Sequence, residues 1–284
     1  MNSSLPVGRT HRYNIMHDKI LIKENVSSVA EFADIIIELK HSWFPRVAYP
    51  DIWYRGVKNA RFDLLPGAYF RPKVDELSLV LNFRSLVPSL LPREPLDDWE
   101  WYYLMQHYGI PTRLLDWSES PLAALYFALE EDAARRSPCV WVMDPRSLNR
   151  LSGEDFILFP YPETDLKYWL PDYCGSRASV YTFPDSSRFK DNTKPLAIYP
   201  KRYNPRIVAQ RGVFTVHGME NIPINDLDLT DSAGKKTRLA KIMFKPGLRK
   251  KLRNELWTLG FSKAAIYPEP QSLAEDLRRA YMVV

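Results

Sequence analysis

Several features that carry common chemistry are missing from this chain of 284 residues. It contains neither GxGxxG nor GxxxxGK[ST], so a Rossmann dinucleotide site and a P-loop are unsupported. HExxH and GxSxG are also absent, and the five histidines are scattered, with no pair at metal-ligand spacing. We therefore expect no metal site and no metal-dependent catalysis.

Cysteine is scarce. The two cysteines, Cys139 and Cys174, form no CxxC pair, which argues against a zinc site built on thiolates. Cys139 opens the apolar run CVWVM, and we expect it to be a buried core thiol. This cysteine usage is typical of a reducing compartment.

Long apolar runs are missing too. No stretch approaches the ~18 apolar residues of a membrane-spanning helix, and the polar N-terminus lacks a signal-peptide core. We therefore expect a cytoplasmic protein that does not associate with membranes. Proline is abundant (23) whereas glycine is scarce (11), which indicates rigid turns and extended loops.

Positive charge is in excess, with a net charge of +5 and a pI of about 9.0. The excess is concentrated in residues 201–253, which contain 13 Lys or Arg against 4 Asp or Glu. Such a region attracts nucleic acid, a pyrophosphate ligand or an acidic protein, or it is simply a solvated basic face.

The periodicity predicts helices interleaved with short strands and no regular βαβ spacing, which is typical of an α+β fold. We expect one main domain over residues 26–284, preceded by an irregular or short-stranded lead-in over residues 1–25. Residues 146–195 have weak periodicity and are predicted to be an insertion or a loop-rich region. Helices are predicted over 28–44, 74–91, 96–108, 122–136, 247–259 and from 272, and strands over 51–57, 112–117, 139–144, 198–199, 207–217, 239–245 and 264–267, with a loop over 64–72.

Capping signals support three of these helices. Ser28 and Glu31 form a capping box for the first. Ser120 and Pro121 suit the N-cap and N1 positions of the helix after the second strand. Ser272 and Glu275 form a second capping box, which predicts the start of the last helix.

Polar groups are concentrated in residues 106–127, QHYGIPTRLLDWSESPLAALYF. Arg113 and Asp116 are candidates for an ion pair that holds a turn, or for parts of an organised polar pocket. His107 is either a general acid or base or a structural hydrogen-bond donor. Ser120 caps the following helix, and the N-terminus of that helix suits an anion.

Two further motifs accompany this segment. In Tyr54-Arg55-Gly56, the arginine can bind phosphate or carboxylate and the tyrosine can stack on a planar ring, although a surface arginine covering an aromatic ring is the simpler interpretation. Residues 210–217, QRGVFTVH, alternate like a strand, with Val213, Thr215 and His217 on one face and Phe214 and Val216 on the other. Gln210 shares the register of Phe214 if no bulge intervenes.

These three motifs, in this order, resemble the FRG domain family, whose name refers to a Phe/Tyr-Arg-Gly tripeptide. The resemblance includes LLPGAYFRP, the segment from residue 101 to residue 128 and NPRIVAQRGVFTVHG, and it extends over roughly residues 25–280. The family is widespread in bacteria and their phages, and its members resemble candidates for toxin or phage-defence proteins.

A weaker similarity concerns the ADP-ribosyltransferase fold, in which a split mixed or antiparallel sheet is flanked by helices. It implies NAD as substrate, with Arg55 on its pyrophosphate or ribose, Ser118 or Ser120 at a second position and Gln210 at the third. The third position of that template is a glutamate, which stabilises an oxocarbenium ion electrostatically, whereas glutamine supplies no charge. Either Asp116 or Glu119 provides the charge, or the chemistry differs, or the fold binds without reacting.

The resemblances and the residues together give two sets of candidates. The expected catalytic residues are Arg55, His107, Asp116, Ser118 and Gln210. The expected cofactor-binding residues are Tyr54, Arg55, Gly56, Gln106, Arg113, Ser118, Ser120 and Gln210.

Three functions remain open at this stage. The first is an ADP-ribosyltransferase-like enzyme acting on nucleic acid or protein, as a toxin or phage-defence effector. The second is a non-catalytic module that binds a nucleotide, nucleic acid or phage protein. The third is a metal-independent hydrolase or nuclease that uses His107 and Asp116. An antitoxin or a phage protein is a further candidate partner.

Overall fold

A computed structural model describes residues 14–17, 19–70, 75–91, 93–130, 137–160, 165–171, 189, 191–202 and 204–282. Residues 14–17 are described as backbone only. The end of the helix predicted over 122–136, Cys174, and much of the predicted insertion lie outside the described residues.

The described residues form helices and strands that alternate irregularly along the chain. The strands are β1 (Asn14–His17), β2 (Ile20–Val26), β3 (Trp53–Val57), β4 (Leu114–Ser118), β5 (Cys139–Met143), β6 (Leu196–Ile198), β7 (Gly212–Val216) and β8 (Leu239–Phe244). The helices are α1 (Val29–Trp43), α2 (Gly67–Phe70), α3 (Glu76–Leu86), α4 (Asp98–His107), α5 (Pro121–Leu129), α6 (Pro145–Arg150), α7 (Pro205–Ala209), α8 (Arg249–Thr258), α9 (Lys263–Ile266) and α10 (Pro270–Tyr281). Short 3-10 turns occur at Pro88–Leu90, Asp165–Trp169 and Ile224–Asp226.

The strands pair into one mixed sheet in the order β1-β2-β8-β5-β3-β4-β7-β6. β2 and β8 are parallel, and the other pairs between named strands are antiparallel. The sheet flanked by helices confirms the expected α+β class. β1 and β2, which lie mostly within the predicted lead-in, are hydrogen-bonded into this sheet.

The sheet opens between β3 and β4. These neighbours pair through Tyr54 and Ser118 alone, whereas β3 and β5 pair over five residues. Beyond that pair, the backbone carbonyl of Asp116 in β4 accepts from the Arg55 side chain of β3. The opening is the feature that positions the candidate site.

Helices α1, α5 and α8 pack on one face of the sheet and bury a shared apolar cluster with β2, β5 and β8. Gly56 allows α5 to approach β3, since an added Cβ would lie 1.8 Å from the carbonyl oxygen of Ala124. Two further clusters fill the other side and the end of the sheet around β7. β7 supplies Val213 to one of these and Phe214 and Val216 to the other, which confirms the predicted alternation.

The capping signals predicted for α1 and α5 are confirmed. The Ser28 hydroxyl accepts from the backbone N–H of Glu31, and the Glu31 carboxylate accepts from that of Ser27, one residue before the cap. Ser120 accepts from the N–H of Ala123 at the start of α5, directly before Pro121. Cys139 is fully buried, as expected.

Three predictions of secondary structure are wrong. Residues 264–267 were expected to form a strand, but Ser262 caps helix α9 there by accepting from Ala265. The last helix begins at Pro270 and not at the capping box of Ser272, because proline at N1 starts it earlier. The predicted loop over 64–72 contains the short helix α2.

The predicted strand over 207–217 is wrong in its first half. Asn204 caps the short helix α7 by accepting from the N–H of Arg206, with Pro205 at N1. Helix α7 ends at Gln210, and Arg211 takes a positive φ of 48° before β7 begins. Gln210 therefore ends a helix and does not lie on a strand.

Candidate functional site

A cavity of about 340 Å³ lies at the opening between β3 and β4. Helices α4, α5 and α7 surround it, and β3, β4 and β7 form its floor. Its lining residues are Tyr54, Arg55, Gly56, Lys58, Tyr103, Gln106, His107, Asp116, Trp117, Ser118, Ala124, Phe127, Glu130, Arg206, Ile207, Gln210, Gly212 and Phe214. The volume is at the lower end of the ~300–1,000 Å³ typical of ligand sites.

Most of the predicted site residues meet in this cavity. The structure brings together Tyr54, Arg55, Gly56, Gln106, His107, Asp116, Ser118 and Gln210. Arg113 and Ser120 do not line it. The three motifs predicted from the sequence, 54–56, 106–127 and 210–217, therefore all contribute residues to one cavity.

Arg55 and Asp116 face each other across the opening of the sheet. The Arg55 Nη1 donates to the backbone carbonyl of Asp116 and lies 3.8 Å from its carboxylate oxygen Oδ2. Gln106 Nε2 donates to the same Oδ2 at 2.8 Å, and Gln106 Oε1 in turn accepts from Thr112. The Asp116 side chain stays 58% exposed, so its carboxylate can contact a ligand.

The charge of Arg55 is retained in this setting. Burial lowers the pKa of its guanidinium, and the carboxylate of Asp116 acts in the opposite direction. Because an arginine starts far above neutral pH, the group remains a cation. The opening thus presents one fixed positive charge beside one accessible carboxylate.

Arg113 has a structural role, which corrects the predicted pair with Asp116 and the predicted cofactor contact. Its Nε donates to the carboxylate of Glu76 at 2.6 Å, and both side chains are buried. The Tyr102 hydroxyl accepts from the Arg113 backbone N–H at 2.6 Å and donates to Glu76. Arg113 therefore anchors the start of β4 to helices α3 and α4.

Ser118 and Gln210 join the cavity wall through hydrogen bonds. The Ser118 hydroxyl donates to the Gln210 carbonyl at 2.7 Å and accepts from the N–H of Ser120 at 2.9 Å. Gln210 Nε2 donates to the carbonyl of Ile266 at 3.2 Å. Both side chains line the cavity, yet their hydrogen bonds connect β4, α7 and α9.

Glu119, the alternative carboxylate to Asp116, lies outside the cavity. It forms ion pairs with Arg202 and, at 3.9 Å, with Arg211. Asp116 is consequently the carboxylate of the 106–127 segment that the cavity can use.

His107 is half-buried on the cavity wall at the end of α4. Burial lowers the pKa of its imidazole, Arg206 lowers it further, and Glu269 acts in the opposite direction. The ring is therefore neutral at neutral pH and able to accept a proton.

A second group of residues lines the cavity and was not predicted from the sequence: Lys58, Glu130 and Arg206. Lys58 Nζ lies 3.8 Å from the Glu130 carboxylate, which accepts a 2.7 Å hydrogen bond from the Tyr267 hydroxyl. The Arg206 guanidinium stacks 4.4 Å from the Tyr267 ring. Asn204-Pro205, a helix-start signal, could have shown that Arg206 lies on a helix.

Aromatic rings form the apolar part of the cavity. Tyr103 and Phe214 stack on each other at 5.2 Å between ring centroids and are buried. Phe127 on α5 is partly exposed and meets Tyr267 edge-to-face at 6.1 Å. The cavity thus combines apolar rings with three cations and two carboxylates, a mixture suited to an anionic ligand that has a planar ring.

The basic stretch 201–253 does not form a single surface. Arg202 pairs with Glu119, Arg238 is buried within 4.0 Å of Asp144, and Lys241 donates to the carbonyl of Ala60. Its charges are distributed over several parts of the fold, and only Arg206 lines the cavity.

A metal-binding cluster and a membrane-spanning helix are both absent from the described residues. Among them, no three His, Cys, Asp or Glu side chains lie close enough to hold a metal ion. No helix in the described ranges is long and apolar enough to cross a membrane.

The fold and cavity define an α+β protein with a charged, ligand-sized site at an opening of its sheet. Residues 50–137 match the FRG domain family, which confirms the FRG resemblance over that part of the chain. The match includes the Tyr54-Arg55-Gly56 tripeptide and the 106–127 segment, but neither Arg206 nor Gln210. No curated protein and no solved structure matches the chain.

Proposed function

We propose that the cavity binds NAD and that the chain is an ADP-ribosyltransferase-like enzyme acting on nucleic acid or protein. The observation that carries this proposal is the meeting of Arg55, Asp116, His107 and Gln210 in one cavity at the opening of the sheet. In a bacterial or phage setting, such an enzyme would serve as a cytoplasmic toxin or phage-defence effector, as the FRG resemblance implies.

The charges and rings of the cavity support a dinucleotide ligand. Arg55 and Arg206 lie on different walls and suit the two phosphates, since guanidinium groups contact phosphate oxygens in pairs. Phe127 offers a partly exposed ring for a planar base. Because the cavity is small, we expect it to enclose one half of NAD and to leave the other half at its mouth.

Asp116 suits the electrostatic role that a glutamate has in the transferase template. Breaking the bond between nicotinamide and ribose sends the bonding electrons to nicotinamide and leaves positive charge on the ribose, which a nearby carboxylate stabilises. Gln210 is neutral and its amide is already bonded to Ile266, so it suits ribose positioning alone. His107, neutral at neutral pH, suits accepting the proton of the attacking group.

A binding module without catalysis is the second candidate. The hydrogen bonds that hold Ser118 and Gln210 in the wall favour it, because they tie up two side chains that the transferase template would use. The hydrolase hypothesis has no separate support, since His107 and Asp116 share the cavity with Arg55.

An NAD-consumption assay with three variants tests the proposal. Arg55→Ala removes a charge-assisted contact worth ~1.5–3 kcal/mol and should weaken NAD binding ~10- to 100-fold by calorimetry. Asp116→Asn should keep binding and slow nicotinamide release ~100-fold or more. Glu119→Gln is the matched control, because Glu119 is close to Asp116 in the chain but lies outside the cavity. We expect it to bind and consume NAD like the wild type.

The outcomes separate the two candidates. NAD binding that depends on Arg55 without turnover, in the presence of cell lysate and nucleic acid, supports the binding module. If the protein neither binds nor consumes NAD, the proposed function is wrong.

A further inference from the structure

A second groove of about 450 Å³ lies directly beside the cavity, between α1 and the segment that leads into β3. The two are separated by a thin wall. Tyr54 lines both, Ser118 faces the cavity while Glu119 faces the groove, and Gln210 faces the cavity while Arg211 faces the groove. The wall is closed by the N–H of Glu119, which donates to the carbonyl of Arg211 at 3.0 Å.

An exposed aromatic ring and basic side chains dominate the open side of this groove. Tyr49 is 96% exposed, and Lys40 and His41 follow one another at the end of α1. Ile37 is 54% exposed on the same helix and adds an apolar patch. A fully exposed tyrosine next to cations is a combination that binds bases and phosphates.

The carboxylates of the groove are already neutralised. Asp51 accepts from Arg146 at 2.7 Å and from the Tyr199 hydroxyl at 2.9 Å. Glu119 is paired with Arg202. Glu119 also lies 3.9 Å from Arg211, so its charge is shared between Arg211 and Arg202. Both groove carboxylates are thus engaged by arginines, and Lys40 adds a further positive charge, so the groove suits a polyanion.

Arg211 is placed toward the groove by an unusual backbone. Its φ of 48° lies in the left-handed region that favours glycine, and the following residue is a glycine. Its N–H donates to the carbonyl of Val208 at 3.0 Å, which fixes this conformation at the end of α7. The side chain is 62% exposed, so its cation is accessible from solvent.

We propose that this groove binds single-stranded nucleic acid, with Tyr49 stacking on a base and Lys40 and Arg211 contacting phosphates. That the bound strand is the acceptor of the transferred group rests on the proposed function of the neighbouring cavity. The binding itself does not depend on NAD, so the two proposals can fail separately.

The test is fluorescence anisotropy with fluorescein-labelled single-stranded DNA and RNA oligonucleotides of mixed sequence, without NAD. Tyr49→Ala should weaken binding ~5- to 100-fold, as loss of one stacking contact does. Arg211→Gly, which relieves the backbone and so keeps the fold, should weaken binding and reduce the salt dependence by about one phosphate contact.

Matched controls lie elsewhere on the surface. Tyr281→Ala removes another exposed tyrosine, 82% exposed on α10, and Arg278→Gln removes an exposed arginine of the same helix. Both should bind like the wild type. Equal affinities of the groove variants and the controls for the oligonucleotides would overturn the proposal. So would the finding that the protein binds an acidic peptide and neither oligonucleotide.

Discussion

At the scale of single residues, a buried ion pair behind the cavity holds β4 in place. Arg113 and Glu76 are both less than a tenth exposed, and Tyr102 completes their hydrogen bonds. Taking two charges out of water is costly, so such a pair is stable only while both partners are present.

Glu76→Gln should therefore lower the free energy of unfolding by ~3–5 kcal/mol, because it removes the buried carboxylate that the Arg113 guanidinium contacts at 2.6 Å. Denaturant unfolding measures the loss. Lys263→Gln, which removes an exposed partner of Glu275, is the control and should stay close to the wild type. Similar losses in both variants would contradict the assignment of Arg113 as a structural anchor.

His217 gives the fold a specific pH dependence. Burial lowers the pKa of its imidazole to about 3, although the Leu64 carbonyl acts in the opposite direction. The unfolded chain takes up this proton near pH ~6.5 and the folded chain does not, so stability falls as the pH falls below that value.

We expect the wild type to lose ~2 kcal/mol of unfolding free energy between pH ~6.5 and ~5 through this residue. His217→Gln should show a shallower slope in the same window, measured by urea unfolding at each pH. Part of the slope remains because the pKa of His107 is lowered as well. A slope in His217→Gln equal to that of the wild type would disprove the argument.

At the scale of elements, the contact between β3 and α5 depends on the glycine of the Tyr-Arg-Gly tripeptide. A Cβ at Gly56 would meet the backbone of Ala124 at 1.8 Å and of Ala128 at 2.7 Å, and backbone atoms cannot give way cheaply. The tripeptide thus joins a ligand-facing arginine to a residue that lets a helix lie against the sheet.

Gly56→Ala should destabilise the protein by ~3 kcal/mol, since α5 must move off β3 to make room. Gly212→Ala is the matched control in β7, where the nearest atom to the added Cβ is a side-chain carbon of Ile207 at 3.5 Å. Thermal unfolding followed by circular dichroism compares the two. If Gly56→Ala melts at the same temperature as Gly212→Ala, the packing of α5 on β3 does not require glycine at residue 56.

Elements with strong local signals were predictable, and those fixed by tertiary contacts were not. Helix α1 has a capping serine and a regular apolar face, so its start and its buried side followed from the sequence. Helices α7 and α9 are only one turn long, and one turn has too few residues to show a period. Their capping Asn204 and Ser262 were the only local signals.

The candidate site was predictable to the extent that its residues belong to recognisable motifs. Arg55, Gln106 and Asp116 lie in such motifs, and the structure places them in one cavity. Glu130 lies just beyond the 106–127 segment, and Arg206 lies in NPRIVAQRGVFTVHG without having been identified as a site residue. Both reach the cavity through the packing of α5 and α7. The partner of Arg113 was not predictable either, because Glu76 lies 37 residues away in the chain.

At the scale of the whole molecule, the family match and the folding unit differ. Residues 50–137 contain β3 and β4, which share a single residue pair. Their main partners, β5 and β7, begin at residues 139 and 212. The matched segment thus lacks the strands that hold its own strands in the sheet.

A fragment of residues 50–137 should therefore not fold alone. We expect an unfolding curve without a cooperative transition and poorly dispersed amide resonances in NMR, whereas the full chain shows both features under the same conditions. A cooperative melt of the fragment would show that the FRG segment is an independent domain.

The pairing of β2 with β8 sets the order in which this protein can be completed during synthesis. Leu21 lies beside Ala240 in the finished sheet, although more than two hundred residues separate them along the chain. The ribosome synthesises β2 and β5 well before β8, the strand that pairs with both of them. The edges of β2 and β5 that face β8 therefore stay unpaired until β8 has been synthesised. Closure of the sheet is consequently a late, slow step, and the nascent chain depends on protection of those edges until residues 239–244 have left the exit tunnel.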